Sequence, residues 1–337
     1  MADPRRKNSS IVILALALPV LILLSVAMGR YSVPVGEVVR ILLAKVFPIQ
    51  DTWTAQMAAA VWNIRLPRVL LASLVGCSLS AAGTAYQTVF RNPMAAPDIL
   101  GASSGACFGA ALAILLGLPR FGIAVLAFGM GLISVGLVWT VGKRTHGSRI
   151  VNLLLAGIMV GSLFSAGTSY IKLVADPSDQ LPAITYWMMG SLNGVQMKDV
   201  GFAVLPMLVG LVPLVLLRWR LNLLTVGEEE ARSMGVNVSR LRLITVLCAT
   251  ILTASGVAVS GMIGWVGLVI PHLSRKLVGG DCRRLLPCSM LLGAAFLLTV
   301  DDVSRNLLAT EIPIGILTAL IGAPFFLYLM TRKERSL

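Results

Sequence analysis

Long uncharged apolar runs alternate along the chain with short segments that hold almost all of the charge. The runs are Asn8–Gly29, Val69–Phe90, Ile99–Pro119, Phe121–Gly142, Ile150–Ile171, Val200–Leu217, Leu243–Ser274, Leu285–Val300 and Ile312–Thr331. A helix crosses a bilayer core of about 30 Å with about 20 apolar residues, so most of these runs read as single spans. Leu243–Ser274 would extend to about 48 Å as one helix, too long for one crossing. Gly256, Gly261, Gly264 and Gly267 lie inside it, and a break near Gly261 divides it into two helices, the second short. The pattern predicts an all-α polytopic membrane protein with about ten transmembrane helices in one compact bundle, a single domain over residues 1–337. Arg5, Arg6 and Lys7 precede the first run and no small-x-small cleavage site follows it, which favours a retained helix over a signal peptide.

Composition agrees. Hydrophobic residues make up 57% of the 337 and charged residues only 13%, about half the charged share of a soluble domain. Disorder and a disulfide scaffold are excluded by the apolar content and by the sparse five cysteines. The net charge of +13 would suggest nucleic acid in a soluble protein. Here it is a topology signal. With both termini cytoplasmic, nineteen of the 28 basic residues fall on the inner side, as the positive-inside rule asks. No nucleic-acid partner is expected.

Enzyme chemistry finds little support. His146 and His272 stand far apart, and no Cys/His spacing offers a zinc set. Cys282-x5-Cys288 is neither a metal nor a redox motif, and Cys77, Cys107 and Cys248 lie within spans as small apolar residues. No phosphate-binding G-x-x-x-x-G-K-[ST] loop occurs, so ATP-driven work would need an ATPase on another subunit. No metal or cofactor is expected in this chain. The spans also lack the ionisable series of a proton-coupled pump, which weakens the rival reading of a stand-alone secondary transporter or channel.

Gly101-x3-Gly105-x3-Gly109 and Gly157-x3-Gly161 have the spacing that lets helix backbones approach closely. Tight packing is the simpler reading, a moving seam the other. Tyr170, Trp187, Met188 and Met189 read first as packing, with contact to a flat cargo as the alternative. Asp301 and Arg305, at i,i+4 on the outer end of the ninth span, are placed for an ion pair.

Three segments carry candidate function. Gly227, Glu228, Glu229, Glu230, Ala231, Arg232 and Gly235 outline a short cytoplasmic helix inside the connector 221–240. Its acids sit at the N-terminus and a glycine stop follows. Arg91-Asn92-Pro93-Met94-Ala95-Ala96-Pro97-Asp98 is stiffened against helix by two prolines and suits a gate at the inner mouth. Arg65-Leu66-Pro67-Arg68 places exposed arginines on the outer side, against the charge bias, where an acidic partner could dock.

These segments resemble the permease subunits of type II ATP-binding-cassette importers, the vitamin B12, iron-siderophore and haem permease family. The resemblance spans nearly the whole chain. It also rests on Leu100-Gly101-Ala102-Ser103-Ser104-Gly105-Ala106, Trp187-Met188-Met189-Gly190-Ser191-Leu192, Gly264-Trp265-Val266-Gly267-Leu268-Val269-Ile270-Pro271-His272 and Ile312-Pro313-Ile314-Gly315 through Gly322-Ala323-Pro324-Phe325-Phe326. It implies a homodimer in a bacterial or archaeal cytoplasmic membrane, two ATPase subunits that bind ATP and magnesium, an extracytoplasmic binding protein and a metal-chelate cargo, a ferric siderophore or haem first and cobalamin next, with an oxyanion such as molybdate as the alternative. Gly227–Gly235 then matches the helix that couples to the ATPase. Asn92, Met94 and Ser148 match the cytoplasmic gate, and Arg65, Arg68 and Arg305 match arginines that dock the binding protein. Asp302 departs from the family pattern, which has a single acid at this point, and puts the role of Arg305 in doubt.

Overall fold

A computed structural model describes residues 4–144, 149–226 and 228–331, and helices account for most of them, with no strand among the described residues. In chain order they are α1 (Pro4–Ala27), α2 (Val35–Leu43), α3 (Ala55–Ala59), α4 (Leu66–Val89), α5 (Ala102–Leu115), α6 (Arg120–Arg144) and α7 (Arg149–Val174). Then come α8 (Gln180–Met188), α9 (Met197–Val226), α10 (Glu228–Ser233), α11 (Val238–Ser260), α12 (Val266–Val278), α13 (Cys282–Asn306) and α14 (Ile314–Thr331). Seven spans are long and apolar enough to cross a membrane: α1, the joined α3–α4, α6, α7, α9, α11 and α13. The shorter apolar α5 and α14, with the 13-residue α12 after the Gly261 break, are roughly consistent with the expected ten.

Three boundaries differ from the sequence expectation. The second span starts at Ala55 rather than Val69, because a π-helical turn over Ala60–Arg65 joins α3 to α4 without a break. The sixth extends to Val226, past Leu217, so the helix takes in the first residues of the expected connector. The outer loop between α7 and α9 folds into α8, a helix too short to announce itself against neighbouring apolar runs.

Close backbone contact holds the centre. A Cβ on Gly83 would lie 1.8 Å from the Gly267 carbonyl oxygen, and one on Gly76 would lie 2.2 Å from that of Gly293. Only glycine permits α4 to meet α12 and α13 this closely. The sequence repeats pack the same way: a Cβ on Gly105 would lie 2.6 Å from the Met130 oxygen, and one on Gly157 would lie 2.2 Å from the Ile99 oxygen.

The break falls where expected. α11 stops at Ser260, Gly261 takes φ +68°, and the chain stays non-helical to Trp265 at φ +70°. Irregular backbone survives at membrane depth only when protein surrounds it. Here the Ser191 N–H donates to the Ser260 oxygen at 2.8 Å, and the Ile314 N–H donates to Gly190 at 2.8 Å. The first bond ties the start of the segment to the α8–α9 connection, and the second ties that connection to the start of α14. α4 and α7 are opposites: 78% of the α4 span is buried and only 17% of α7. The open face of α7 runs through Leu155, Met159, Ser162, Ser165, Ser169 and Tyr170.

Candidate functional site

At the outer end, α1, the π-helical turn and α13 converge on a cluster of charges. Arg68 Nε donates to both carboxylate oxygens of Asp301 at 3.0 and 3.1 Å, and its Nη1 to both of Glu311 at 3.0 and 2.9 Å. Arg305 Nη2 donates to the Ser25 carbonyl at 2.6 Å, to Ser25 Oγ at 2.8 Å and to the Asp302 carboxylate. The Ser25 hydroxyl in turn donates to Asp302 at 2.6 Å. Arg65 donates to the carbonyls of Val26, Ala27 and Tyr31. Those carbonyls lie at or just beyond the end of α1, where a helix leaves acceptors unpaired and its dipole favours a cation.

This corrects one expectation. Arg65 and Arg68 are not exposed ahead of a span. They lie within the continuous helix, at 4% and 6% exposure, and Arg305 is buried beside them. Arginine is tolerated so deep because its donors meet carboxylates and carbonyls in fixed geometry. Asp301 and Arg305 do form the expected i,i+4 pair, at 3.9 Å, but the closer partner of Arg305 is Asp302, and Arg68 makes the closer contact to Asp301. Asp302 therefore cancels Arg305 locally. Glu311, Ser25 and Arg30 also belong to the cluster and escaped sequence reading, because only folding brings them to Arg68 and Arg305. A cavity of about 230 Å³, lined by Arg30, Tyr31, Arg65, Arg68, Arg305 and Glu311 among others, opens from the cluster.

The opposite end is built differently. Arg91 closes α4 with φ +49°, the Asn92 side chain accepts the Met94 N–H at 2.9 Å, and Met94 is 46% exposed. Arg91 Nε donates to the Leu224 carbonyl at 2.7 Å, tying this loop to the last turns of α9. Asn222 joins α13 to the same point: it accepts the Cys282 N–H and donates to Asp281, each at 2.7 Å. Burial raises the Asp281 carboxyl, but the Arg283 N–H, the Asn222 amide and the charges of Arg283 and Arg284 outweigh it. They hold Asp281 below the usual carboxylate range. Beyond α9 comes α10, with Ala231 buried and Glu230 and Arg232 exposed. Gly235 at φ +78° ends it, and the Val236 N–H returns to the Ala231 oxygen at 3.2 Å, a left-handed stop. Ser148 and Gly227 lie outside the described residues, as do the side chains of Glu228 and Glu229.

Trp187 packs on the cluster of Ala106, Ala110 and Ala258 and also lines a cavity of about 440 Å³ with Arg120, Tyr186 and Asp199, while Met188 packs on the cluster of Ile171 and Ile184. Tyr170 and Met189 remain exposed. The five cysteines are free, and no cluster of three or more His, Cys, Asp or Glu side chains could hold a metal among the described residues.

Residues 17–332 match the FecCD transport family. The chain belongs to that family. The molybdate import system permease protein MolB of Haemophilus influenzae is 40% identical over 325 residues, 96% of this chain and 95% of that one. The cobalamin import system permease protein BtuC of Halobacterium salinarum is 41% identical over 315 residues, covering 92% and 85%. The hemin transport system permease protein HmuU of Yersinia pestis is 41% identical over 295 residues, covering 84% and 88%. A solved structure of a metal-chelate type ABC transporter in an inward-facing conformation has a TM-score of 0.86 and 38% identity, covering 96% of this chain and 99% of that one. This FecCD chain is thus a multi-pass protein of the cell membrane, similar throughout to ABC importer permeases.

Proposed function

We propose that the chain is the permease subunit of an ATP-driven importer that takes a metal chelate from a binding protein and passes it inward by alternating access. Two copies would frame the pathway, with ATP and magnesium held by two partner ATPase subunits. The likeness across 96% of the chain to a metal-chelate type transporter carries this reading. The open face of α7 supports it: from Val151 to Ser169 it offers hydroxyls and apolar groups without a charge. Such a wall suits a bulky, largely neutral chelate, a ferric siderophore or haem first and cobalamin next. A bare oxyanion would ask for cationic ligands. The molybdate relative favours a second reading, import of that oxyanion. Titrating the partner binding protein with haem, ferric siderophores, cobalamin and molybdate tests both, and tight binding of molybdate alone would overturn the chelate.

Three sites divide the work. α10 would seat in the ATPase and carry its closure into the bundle, and the tie from Arg91 to Leu224 offers a route from α9 to the loop at Asn92 and Met94. That loop, with Ser148, would gate the inner side. For ATP to do work, access and affinity must differ between the two states. Outside, an acidic side chain of the binding protein would enter the cavity at Arg65, Arg68 and Arg305 and compete with Glu311 for Arg68. Arg65→Gln is then expected to weaken binding-protein affinity about tenfold, the cost of one charge-assisted contact. A folded Arg65→Gln protein with unchanged affinity would remove Arg65 from docking.

A further inference from the structure

The cytoplasmic half of α11 is buried on all sides but one. Its open positions are Arg240, Leu243, Ile244, Leu247 and Ile251, with Ser239 at the margin. At three- and four-residue spacing they form one stripe. α9 packs on one flank, where Gly210 approaches the Cys248 oxygen, and α6 lies on the other, closing over the outer end of the stripe at Gly131 and Ala254 and placing Trp139 and Lys143 beside Ser239, Arg240 and Leu243 at its foot. The stripe is therefore the floor of a groove. At its foot is a cavity of about 320 Å³ lined by Trp139, Lys143, Asn237, Ser239, Arg240 and Leu243. Lys143 Nζ stands 5.7 Å from the centre of the Trp139 ring. Lys143 and Arg240 are both exposed, and no acidic side chain lines the cavity among the described residues.

We infer that this groove binds one anionic phospholipid of the inner leaflet, with its phosphate between Lys143 and Arg240 and one acyl chain along Leu243, Leu247 and Ile251. Length supports the assignment. From Arg240 to Ile251 the helix rises about 16 Å, close to half of a 30 Å hydrocarbon core and so to one leaflet. Charge supports it as well: basic pockets between helices on the cytoplasmic side select anionic headgroups, and tryptophan prefers the headgroup level. A soluble ATPase could cover the foot, but it could not reach an apolar stripe that continues into the membrane. The foot adjoins the turn from Gly235 to Asn237, which links α10 to α11, so a bound lipid would brace the element proposed to receive the ATPase stroke.

Native mass spectrometry of the full chain tests this, after exchange into mixed phosphatidylglycerol and phosphatidylethanolamine. The wild type is expected to retain one phosphatidylglycerol per chain in preference to phosphatidylethanolamine. Lys143→Glu with Arg240→Glu should lower that retention at least tenfold. Leu247→Trp, which fills the groove without altering charge, should lower it too, and it keeps the test open should the double variant fail to fold. Inorganic phosphate at millimolar concentration should not displace the lipid. Equal retention of both lipids, or retention indifferent to both variants, would overturn the inference. So would displacement by phosphate, or loss of self-association or ATPase binding while lipid stays bound.

Discussion

The two ends of the bundle treat their charges in opposite ways. At the outer end Arg65, Arg68 and Arg305 are buried, and the hydrogen bonds they make go to Asp301, Asp302, Glu311, Ser25 and the end of α1. At the inner end Glu230, Arg232, Asn92 and Met94 are exposed, and the ties that position them run through the backbone and through Arg91 and Asn222. Outer charge is part of the fold before it is available to anything else. The charge of α10 is held out on a scaffold and costs the fold little to change.

Arg68→Ala should give the largest effect that sharpens this contrast. It strands Asp301, which is 0% exposed, without its main partner, and breaking a buried pair in this way costs about 3–5 kcal/mol. Thermal unfolding in detergent reads the loss; an unchanged midpoint would mean that the outer cluster is not structural. Gly83→Ala comes next. Its Cβ would collide with the Gly267 oxygen, and a cost of about 1–3 kcal/mol or more is expected from forced backbone movement. Arg232→Glu should do the reverse of Arg68→Ala. Stability should stay within about 0.5 kcal/mol, as for other surface substitutions, while co-purification of the ATPase subunit falls about tenfold. A destabilised Arg232→Glu protein would break the comparison from the inner side. The smallest effect concerns Asp281. Its depressed pKa means a stabilising contribution that is present above the ordinary carboxylate value near pH 4 and is lost as pH falls through the lower folded value. Asp281→Asn should flatten that part of an acid-unfolding curve.

Much of the architecture was legible because bilayers impose a length rule. The ten spans follow from apolar runs, and the break at Gly261 from a run too long for one helix. The α10 stop at Gly235 was equally readable, because the left-handed conformation there suits glycine. α8 and the π-helical turn at Ala60–Arg65 were not, since neither changes the apolar pattern by enough residues. The outer site was half visible. Arg65, Arg68 and Arg305 stand out as cations on the wrong side of the charge bias. Their surroundings did not, because Arg68 pairs with Asp301 and Glu311 across more than 230 residues of chain.

From the sequence alone came the kind of molecule this is: an all-helical membrane protein of about ten spans with a short cytoplasmic helix and no phosphate-binding loop motif. Those properties depend on local pattern, on how many apolar residues follow one another and which residues interrupt them. Only the tertiary structure decided what the arginines do at rest, which helix faces meet through glycine, and which stripe of α11 is left open. Those outcomes depend on groups far apart in the chain coming within 3 Å, and hydropathy along a sequence carries no record of distance in space.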